Sequence, residues 1–148
     1  EYGARFGRSW GSVEPYRMEG AEVALVTSST ITSTARDVID AMRGEGVPIG
    51  LVKVRLFRPV PVQDIVSALS GVNKIAVLDR NLTFGQCGVF AEEIKAALYG
   101  SGLRTPLFDY VLGLGGRDVT PATIRQVADH VLTHDRPDSP IVWIGVKA

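Results

Sequence analysis

The most regular pattern in the sequence lies in residues 23–56, VALVTSSTITSTARDVIDAMRGEGVPIGLVKVRL. It opens with a continuous apolar run at 23–26, which is typical of a strand buried on both faces. Apolar residues then recur with the i, i+3, i+4 and i+7 spacing of an amphipathic helix, at Ala35, Val38, Ile39 and Met42. A second strand is predicted at 49–56, after a turn rich in glycine. This order predicts a strand–helix–strand unit, the building block of parallel sheets.

The same alternation continues along the rest of the chain. Further strands are predicted at 75–78, 107–112 and 141–146, and helical stripes lie in 62–69, 90–98 and 124–131. Successive strands begin about 26 to 34 residues apart, the length of a strand plus a crossover helix. We therefore predict an α/β fold with three layers, α/β/α, and a mostly parallel five-stranded sheet with right-handed connections.

Composition excludes several classes of protein. The 148 residues (15.9 kDa) are 45% hydrophobic, and Lys plus Arg balance Asp plus Glu at 16 each. No apolar run reaches the roughly 18–20 residues of a membrane helix, and a neutral chain has no field that favours nucleic acid. The single cysteine, Cys87, can neither form an internal disulfide nor hold by itself an iron–sulfur cluster, which needs about four thiolates. We expect a cytoplasmic protein that binds neither membrane nor nucleic acid.

The first twenty residues differ from the rest. Residues 1–20 contain four aromatic residues and four glycines without a strand or helix period. We expect a linker or arm whose aromatic side chains pack either on the domain body or on a neighbouring domain that is missing here, with the domain itself at 21–148. The chain begins at Glu1 without an initiator methionine, so we also expect it to be a piece of a longer protein.

Loops at the carboxyl ends of the strands are where open α/β sheets bind ligands. Residues 28–30, Ser-Ser-Thr, place hydroxyl groups before a helix, either as an ordinary N-cap or as a seat for an anion. Asp79, Arg80 and Asn81 follow the third predicted strand, where they either grip a ligand or partner, or cap helices and pair locally. Both loops are candidate sites.

The loop after the fourth predicted strand is rich in glycine. Its candidate contact residues are Gly113, Gly115, Gly116, Arg117 and Asp118. The glycines either form a purely structural turn or let the backbone approach another group closely. Their spacing matches neither the dinucleotide fingerprint G-x-G-x-x-G nor a phosphate loop, which needs a Lys followed by Ser or Thr. The Thr-Pro pair at 120–121 predicts the start of a helix.

Two other features could carry chemistry. His130 and His134 have the i, i+4 spacing of metal ligands on one helix face, but imidazoles near a helix C-terminus are also favoured by the helix dipole, and we expect no metal there. Cys87 has no base beside it in the sequence, so we expect a buried or spectator thiol. We therefore expect no catalytic residue and no cofactor-binding residue in this chain.

Three motifs together resemble one protein family. They are LFRPVP at 56–61, VLDRN at 77–81 with Gly85 and Gly88, and GLGGRDVTP at 113–121. The chain is similar, over about residues 16–146, to the alpha subunit of pyruvate:ferredoxin (flavodoxin) oxidoreductase, within its C-terminal, transketolase-C-terminal-like domain. It departs mildly from the family at Gly20, where an acidic residue is usual, and at Val60, where Phe is usual.

The resemblance implies a large enzyme with thiamine diphosphate, Mg²⁺ and 4Fe-4S clusters. Such an enzyme converts a 2-oxoacid, CoA and oxidised ferredoxin to acyl-CoA, CO2 and reduced ferredoxin. The resemblance also implies that other domains hold these cofactors, so that this domain alone is inactive and packs against other domains or subunits. Ferredoxin or flavodoxin would be a partner through the parent enzyme. The edge of the sheet at the carboxyl ends of its strands, here called the rim, would carry the contact residues. The candidates are Arg58, Asp79, Arg80, Asn81, Gly113, Gly115, Gly116, Arg117 and Asp118.

Two alternatives stay open on the sequence alone. The C-terminal domain of transketolase, or of a 2-oxoacid dehydrogenase E1 beta subunit, has a similar strand order, although the motif at 113–121 argues against it. A free-standing module could instead bind the phosphates of CoA or of a nucleotide with the loops at 28–30 and 113–116.

Overall fold

The computed structural model describes residues 1–8, 10–84 and 86–146, so Gly85 of the second motif lies outside the described residues. The strands are β1 (Val13–Tyr16), β2 (Val23–Ser28), β3 (Ile49–Val54), β4 (Lys74–Asp79), β5 (Leu107–Leu112) and β6 (Val142–Ile144). The helices are α1 (Tyr2–Phe6), α2 (Ile31–Gly44), α3 (Val62–Leu69), α4 (Val89–Ser101) and α5 (Pro121–Thr133), with a 3₁₀ turn at Leu114–Gly116. None of the helices in these residues combines the length and the apolar character needed to cross a membrane.

The sheet confirms the predicted α/β architecture. Within the described residues its strand order is β1-β3-β2-β4-β5-β6, and every neighbouring pair is parallel except β1 with β3. Each step along the chain from β2 to β6 passes from one parallel strand to the next through a helix. Parallel strands require such crossover connections because the chain must return to the same edge before the next strand begins.

Each face of the sheet has its own apolar core. Leu25 of β2 faces the layer of α2 and α5, where Met42 and Val127 are fully buried. Val26, the next residue, faces the layer of α3 and α4, where Ile94 packs. Successive side chains of a strand point to opposite faces, so a strand covered on both sides needs apolar residues at every position. This explains the continuous apolar run at 23–26.

β1 corrects the predicted number of strands. The sequence predicted a five-stranded sheet, but Val13–Tyr16 adds a strand to the described sheet, pairing antiparallel with β3 so that Val13 lies opposite Val54. Its four residues are too few for alternation to stand out, and Pro15 lowers the propensity for a strand. Proline lacks the N–H group that an inner strand must donate, which confines this segment to the edge of the sheet.

Polar contacts attach β1 to the domain. Glu14 forms ion pairs with Arg36 of α2 and with Arg55 after β3. The Tyr16 hydroxyl donates to Asp40 of α2 at 2.7 Å. The Arg55 guanidinium also lies 4.9 Å from the centre of the Trp10 ring. Two aromatic residues of the predicted arm, Trp10 and Tyr16, therefore contact the domain body. Packing of residues 1–20 on a neighbouring domain stays a prediction.

The fifth helix begins where the sequence predicts. Pro121 occupies its first position, and the Thr123 N–H donates to the Thr120 hydroxyl oxygen at 3.2 Å. Proline suits this position because its missing N–H would have no partner within the helix, and threonine is a favoured N-cap. The cap determines where the glycine-rich loop ends.

Candidate functional site

The strand order creates a crevice at the carboxyl edge of the sheet. β2 lies between β3 and β4, so the connection after β2 runs to one side of the sheet and the connection after β4 runs to the other. Such switch points are where open α/β sheets typically bind ligands. Residues 28–30 and 80–81 lie at this point, and the loop after β5 is next to it.

A cavity of about 130 Å³ lies at this edge. It is lined by the start of α2 and by the loops after β4 and β5, through Thr30, Ile31, Thr34, Arg80, Arg117, Asp118 and Val119. The structure thus brings together Arg80, Arg117 and Asp118 from the predicted rim. Two guanidinium groups beside the amino end of a long helix favour an anionic group, and Asp118 offsets part of their charge.

Gly113 makes room for Arg80. The Arg80 Nη2 donates a long hydrogen bond of 3.4 Å to the Gly113 carbonyl oxygen. Gly113 has a φ of +66°, a left-handed conformation that side chains disfavour. A Cβ at this position would lie 2.9 Å from Arg80 Nε and 2.8 Å from Val119 Cγ2. Position 113 therefore needs glycine for its backbone conformation and for the close approach of Arg80.

Gly115 and Gly116 have a different role. Their φ values are +66° and +78°, but in the described structure a Cβ at either position would meet no atom within 4 Å. Glycine is needed at both positions for the positive φ of the turn. Their contact with a group outside this domain stays a prediction. The turn directs Arg117 and Asp118 to the cavity.

The hydroxyl groups before α2 do not cap it. Thr30 stands at the N-cap position, but within the described residues its side chain accepts no capping hydrogen bond. The carbonyl oxygens of Ser29 and Thr30 accept the N–H groups of Thr32 and Ser33 at 3.4 and 3.3 Å. The ordinary N-cap interpretation of residues 28–30 is therefore wrong, and Thr30 lies in the cavity wall.

Asp79 and Asn81 cap a helix. The carboxylate of Asp79 accepts the N–H groups of Phe90 at 3.3 Å and Ala91 at 3.0 Å, and the Asn81 side-chain oxygen accepts that of Val89 at 2.9 Å. Asp79 is 1% exposed, so its carboxylate cannot reach the surface of a partner. The prediction that Asp79 contacts a partner is therefore wrong. Its role is to cap α4, because a helix leaves its first N–H groups without partners and buried N–H groups must be satisfied.

Gly88 is named in a sequence motif, but sequence reasoning missed its contact with Asp109 in the same arrangement. The Asp109 carboxylate, buried in the middle of β5, accepts the Gly88 N–H at 2.9 Å. A Cβ on Gly88 would lie only 2.2 Å from the Asp79 carboxylate oxygen. The sequence feature that could have revealed this contact is the carboxylate within the apolar run LFDYVL at 107–112, since a charged residue in a central strand must have a buried partner.

Burial changes the proton affinity of both carboxylates. Loss of solvent raises the pKa of Asp79 to about 6, and the backbone N–H groups that it accepts oppose this rise only in part. Burial also raises the pKa of Asp109, although Lys95 Nζ lies 3.8 Å from its carboxylate. Asp109 Oδ1 is buried without a hydrogen-bond partner among the described residues. These carboxylates hold the start of α4 beneath the rim.

Arg58 and Cys87 lie away from the cavity lining. Arg58 is paired with Glu93 of α4, and its guanidinium stacks 3.9 Å from the centre of the Phe57 ring. Cys87 is half-buried, and its Sγ lies 3.6 Å from the Thr83 hydroxyl. Arg58 remains an exposed candidate contact on the α3–α4 side of the sheet.

A known protein family matches most of the chain. The model of the family described as pyruvate:ferredoxin oxidoreductase core domain II matches residues 21–124. This range includes β2 to β5 and the start of α5, and therefore the whole cavity.

Curated relatives match over almost all of this chain. It is 42% identical over 147 residues to the pyruvate synthase subunit PorA of Methanothermobacter thermautotrophicus, with 99% of this chain and 37% of that protein covered. It is 37% identical to the ketoisovalerate oxidoreductase subunit VorA of Pyrococcus horikoshii, with 99% and 38% covered. The PorA subunit of Thermotoga maritima is 40% identical, with 99% and 38% covered. The chain thus spans under two-fifths of the length of these relatives.

Solved structures show the same fold. A 2-oxoglutarate:ferredoxin oxidoreductase from Magnetococcus marinus aligns with a TM-score of 0.61 at 18% identity, covering 82% of this chain and 20% of that one. The inactive beta4 tetramer of a split-gene transketolase aligns with a TM-score of 0.60 at 16% identity, covering 83% and 42%. The likeness to transketolase is one of fold, whereas the sequence match over 21–124 distinguishes the families. This chain therefore belongs to the pyruvate:ferredoxin oxidoreductase core domain II family.

Proposed function

We propose that this chain is the non-catalytic assembly domain of a 2-oxoacid:ferredoxin oxidoreductase. The parent enzyme would convert a 2-oxoacid, CoA and oxidised ferredoxin to acyl-CoA, CO2 and reduced ferredoxin in the cytoplasm. The family match over residues 21–124 carries this proposal. The names of the relatives, pyruvate synthase and ketoisovalerate oxidoreductase, support a 2-oxoacid as substrate.

The side chains of this domain favour a structural role over a catalytic one. The buried carboxylates of Asp79 and Asp109 accept helix N–H groups. The rim presents Arg80 and Arg117, and arginine suits planar, bidentate contacts to carboxylates and backbone carbonyl groups of a neighbouring surface. Such a rim would position the catalytic domains relative to one another.

The residues of this chain do not fit the family's main cofactors. A 4Fe-4S cluster is held by about four cysteine thiolates, and Cys87 is the single cysteine of the sequence. The sequence also has no Gly-Asp-Gly followed by Asn to hold Mg²⁺ and a thiamine diphosphate. Under this proposal the clusters, the thiamine diphosphate and CoA are bound by other parts of the parent enzyme, which also receives ferredoxin or flavodoxin.

Loss of the rim charges tests the proposal in the parent enzyme with all its subunits. We expect the double variant Arg80→Ala with Arg117→Ala to weaken subunit assembly, as measured by sedimentation velocity, and to slow 2-oxoacid-dependent ferredoxin reduction. Arg104→Ala is the matched control, because Arg104 is also exposed but stands between α4 and β5, at the opposite edge of the sheet. Equal assembly and turnover in the two variants would contradict the proposal.

The cavity favours one second candidate function, the binding of a CoA or nucleotide phosphate by this domain. Its volume of about 130 Å³ would hold roughly four water molecules at liquid density, enough for one phosphate group. Calorimetric titration of the 148-residue chain with CoA and with ATP distinguishes the candidates. An assembly domain binds neither tightly, whereas saturable binding that disappears in Arg80→Ala would favour the second candidate.

A further inference from the structure

Three metal-ligating side chains meet at the end of α5, on a part of the domain that the proposed function does not use. His130 lies in the last turn of α5, His134 follows its last residue, and Asp138 lies in the connection to β6. One nitrogen of each imidazole and one carboxylate oxygen of Asp138 lie within 4.8 Å of one another. The two rings are stacked with their centres 4.1 Å apart. The sequence showed the histidine pair, but not the approach of the carboxylate.

Each of the two imidazoles makes a hydrogen bond through its Nδ1. His134 Nδ1 lies 2.8 Å from the His130 carbonyl oxygen, and since a carbonyl can only accept, this nitrogen carries the proton and leaves a lone pair on Nε2. His130 Nδ1 lies 2.7 Å from the hydroxyl of the fully buried Tyr110, whose oxygen can accept a hydrogen bond from it. Metal-binding histidines usually donate their other ring N–H to a carbonyl or a similar oxygen.

The surroundings also hold His130 in place. Its ring stands edge-on to the buried rings of Tyr110 and Phe108, at 5.8 and 6.3 Å between centres. A ring held in this way loses little further freedom when it binds an ion, which lowers the entropic cost of binding. The His134 ring stacks on this fixed ring, so the two imidazoles are already neighbours. To share an ion with His130, the His134 ring must turn out of the stack, because a ring nitrogen binds a metal in the plane of its ring.

Asp138 is available as a third ligand. It is exposed and forms no ion pair with the described residues, whereas the nearby Asp135 lies 3.4 Å from Lys74 Nζ. Pro137 and Pro140 restrict the backbone on both sides of it. Ligand atoms of one zinc ion lie up to about 4 Å apart, since each bond is about 2.0–2.2 Å long. Binding would therefore draw the three ligand atoms closer together than the 4.8 Å within which they lie, and the exposed Asp138 side chain is free to turn.

We propose that His130, His134 and Asp138 bind one divalent transition-metal ion, Zn²⁺ by preference, with water at the fourth position. Two neutral imidazoles and one carboxylate are ligands that Zn²⁺ accepts in tetrahedral sites. The ion would tie the end of α5 to the loop that leads into β6, and so would have a structural effect. This inference does not depend on the proposed function.

Zinc titration of the chelator-treated 148-residue chain tests the site. We expect saturable binding of one Zn²⁺ per chain by calorimetry, and Co²⁺ should develop the visible absorption of tetrahedral coordination. His134→Ala and Asp138→Asn should each weaken Zn²⁺ binding by about tenfold or more. Asp135→Asn is the matched control and should bind as the unmodified chain does, because its carboxylate already faces Lys74.

Circular dichroism of each variant separates loss of the ligand from loss of the fold. Both ligand variants leave the Tyr110 contact of His130 intact, so we expect them to fold normally. Absence of saturable Zn²⁺ binding by the unmodified chain would overturn the proposal and would leave the two imidazoles with a helix-dipole role. Equal affinities of Asp138→Asn and Asp135→Asn would also overturn it.

Discussion

The carboxylate of Asp79 accepts the backbone N–H of Ala91 at 3.0 Å, and so joins the end of β4 to the first turn of α4. Asn81 and Asp109 accept two neighbouring N–H groups, so side chains from the end of β4, from the loop after it and from the middle of β5 satisfy the start of one helix. The loop between β4 and α4, which carries Arg80, is thereby held in place at both ends. The candidate site rests on this buried arrangement.

Removal of the Asp79 carboxylate should destabilise the chain. Asp79→Ala leaves two buried N–H groups of α4 without an acceptor, and we expect the free energy of unfolding to fall by about 2 kcal/mol. Urea unfolding followed by circular dichroism measures this change. Asp37→Ala on the exposed face of α2 is the control, expected within about 0.5 kcal/mol of the unmodified chain. A similar effect of the two substitutions would contradict the capping role.

The raised pKa of Asp79 predicts a pH dependence of stability. The folded carboxyl releases its proton near pH 6 and the unfolded one near 3.8, so the folded state binds more protons between these values. Raising the pH through this window therefore lowers the free energy of unfolding, by at most about 1.4 kcal/mol per pH unit. Urea unfolding at a series of pH values, compared with Asp79→Asn, isolates this contribution. Parallel pH profiles for the two proteins would show that burial of Asp79 does not raise its pKa.

Gly88 should tolerate no side chain. Its φ of −65° suits any residue, so the cost of Gly88→Ala comes from the Cβ, which would lie 2.2 Å from the Asp79 carboxylate. We expect a loss of roughly 2 kcal/mol in the free energy of unfolding, because overpacking of a buried site typically costs 1–3 kcal/mol. Gly100→Ala is a matched control in the same helix, where a Cβ meets no described atom within 4 Å. The unfolding free energy of that variant should rise by about 0.5–1 kcal/mol, because alanine has the higher helix propensity. Chemical denaturation should therefore show changes of opposite sign for the two variants, and equal changes would contradict the contact at Gly88.

Gly113 and Gly116 should respond differently to alanine. Both have a positive φ, so each substitution should cost about 1–2 kcal/mol in unfolding free energy. Gly113→Ala also crowds Arg80 and Val119, and we expect it to cost about 1 kcal/mol more than Gly116→Ala. Chemical denaturation of the two variants checks the difference. Equal losses would mean that Arg80 moves aside without cost.

The outline of the fold could be predicted because its strands are long and apolar. β2, β4 and β5 are buried on both faces, so apolar residues fill nearly every position, and the helices between them carry clear apolar stripes. β1 could not be predicted, because a four-residue edge strand with a proline owes its pairing to its neighbour β3 and not to its own pattern.

The candidate site could be predicted in part. Arg80, Arg117 and Asp118 were expected at the rim because the carboxyl ends of parallel strands meet at one edge. Their approach to Thr30 depends on the order of the strands in the sheet, which local patterns do not specify. The sequence allowed Asp79 either to contact a ligand or partner or to cap a helix, and its burial in the structure supports the helix cap.

The sequence by itself determined the alternation of strands and helices, the capped start of α5, the glycine turn and the membership of a protein family, because these depend on short-range spacing and residue type. Only the tertiary structure decided which distant groups meet. Asp109 reaches Gly88 across 21 positions of sequence, and Asp138 reaches two imidazoles through a turn of the chain. Such contacts form when the layers pack, since the burial of apolar faces and not local preference sets their distances.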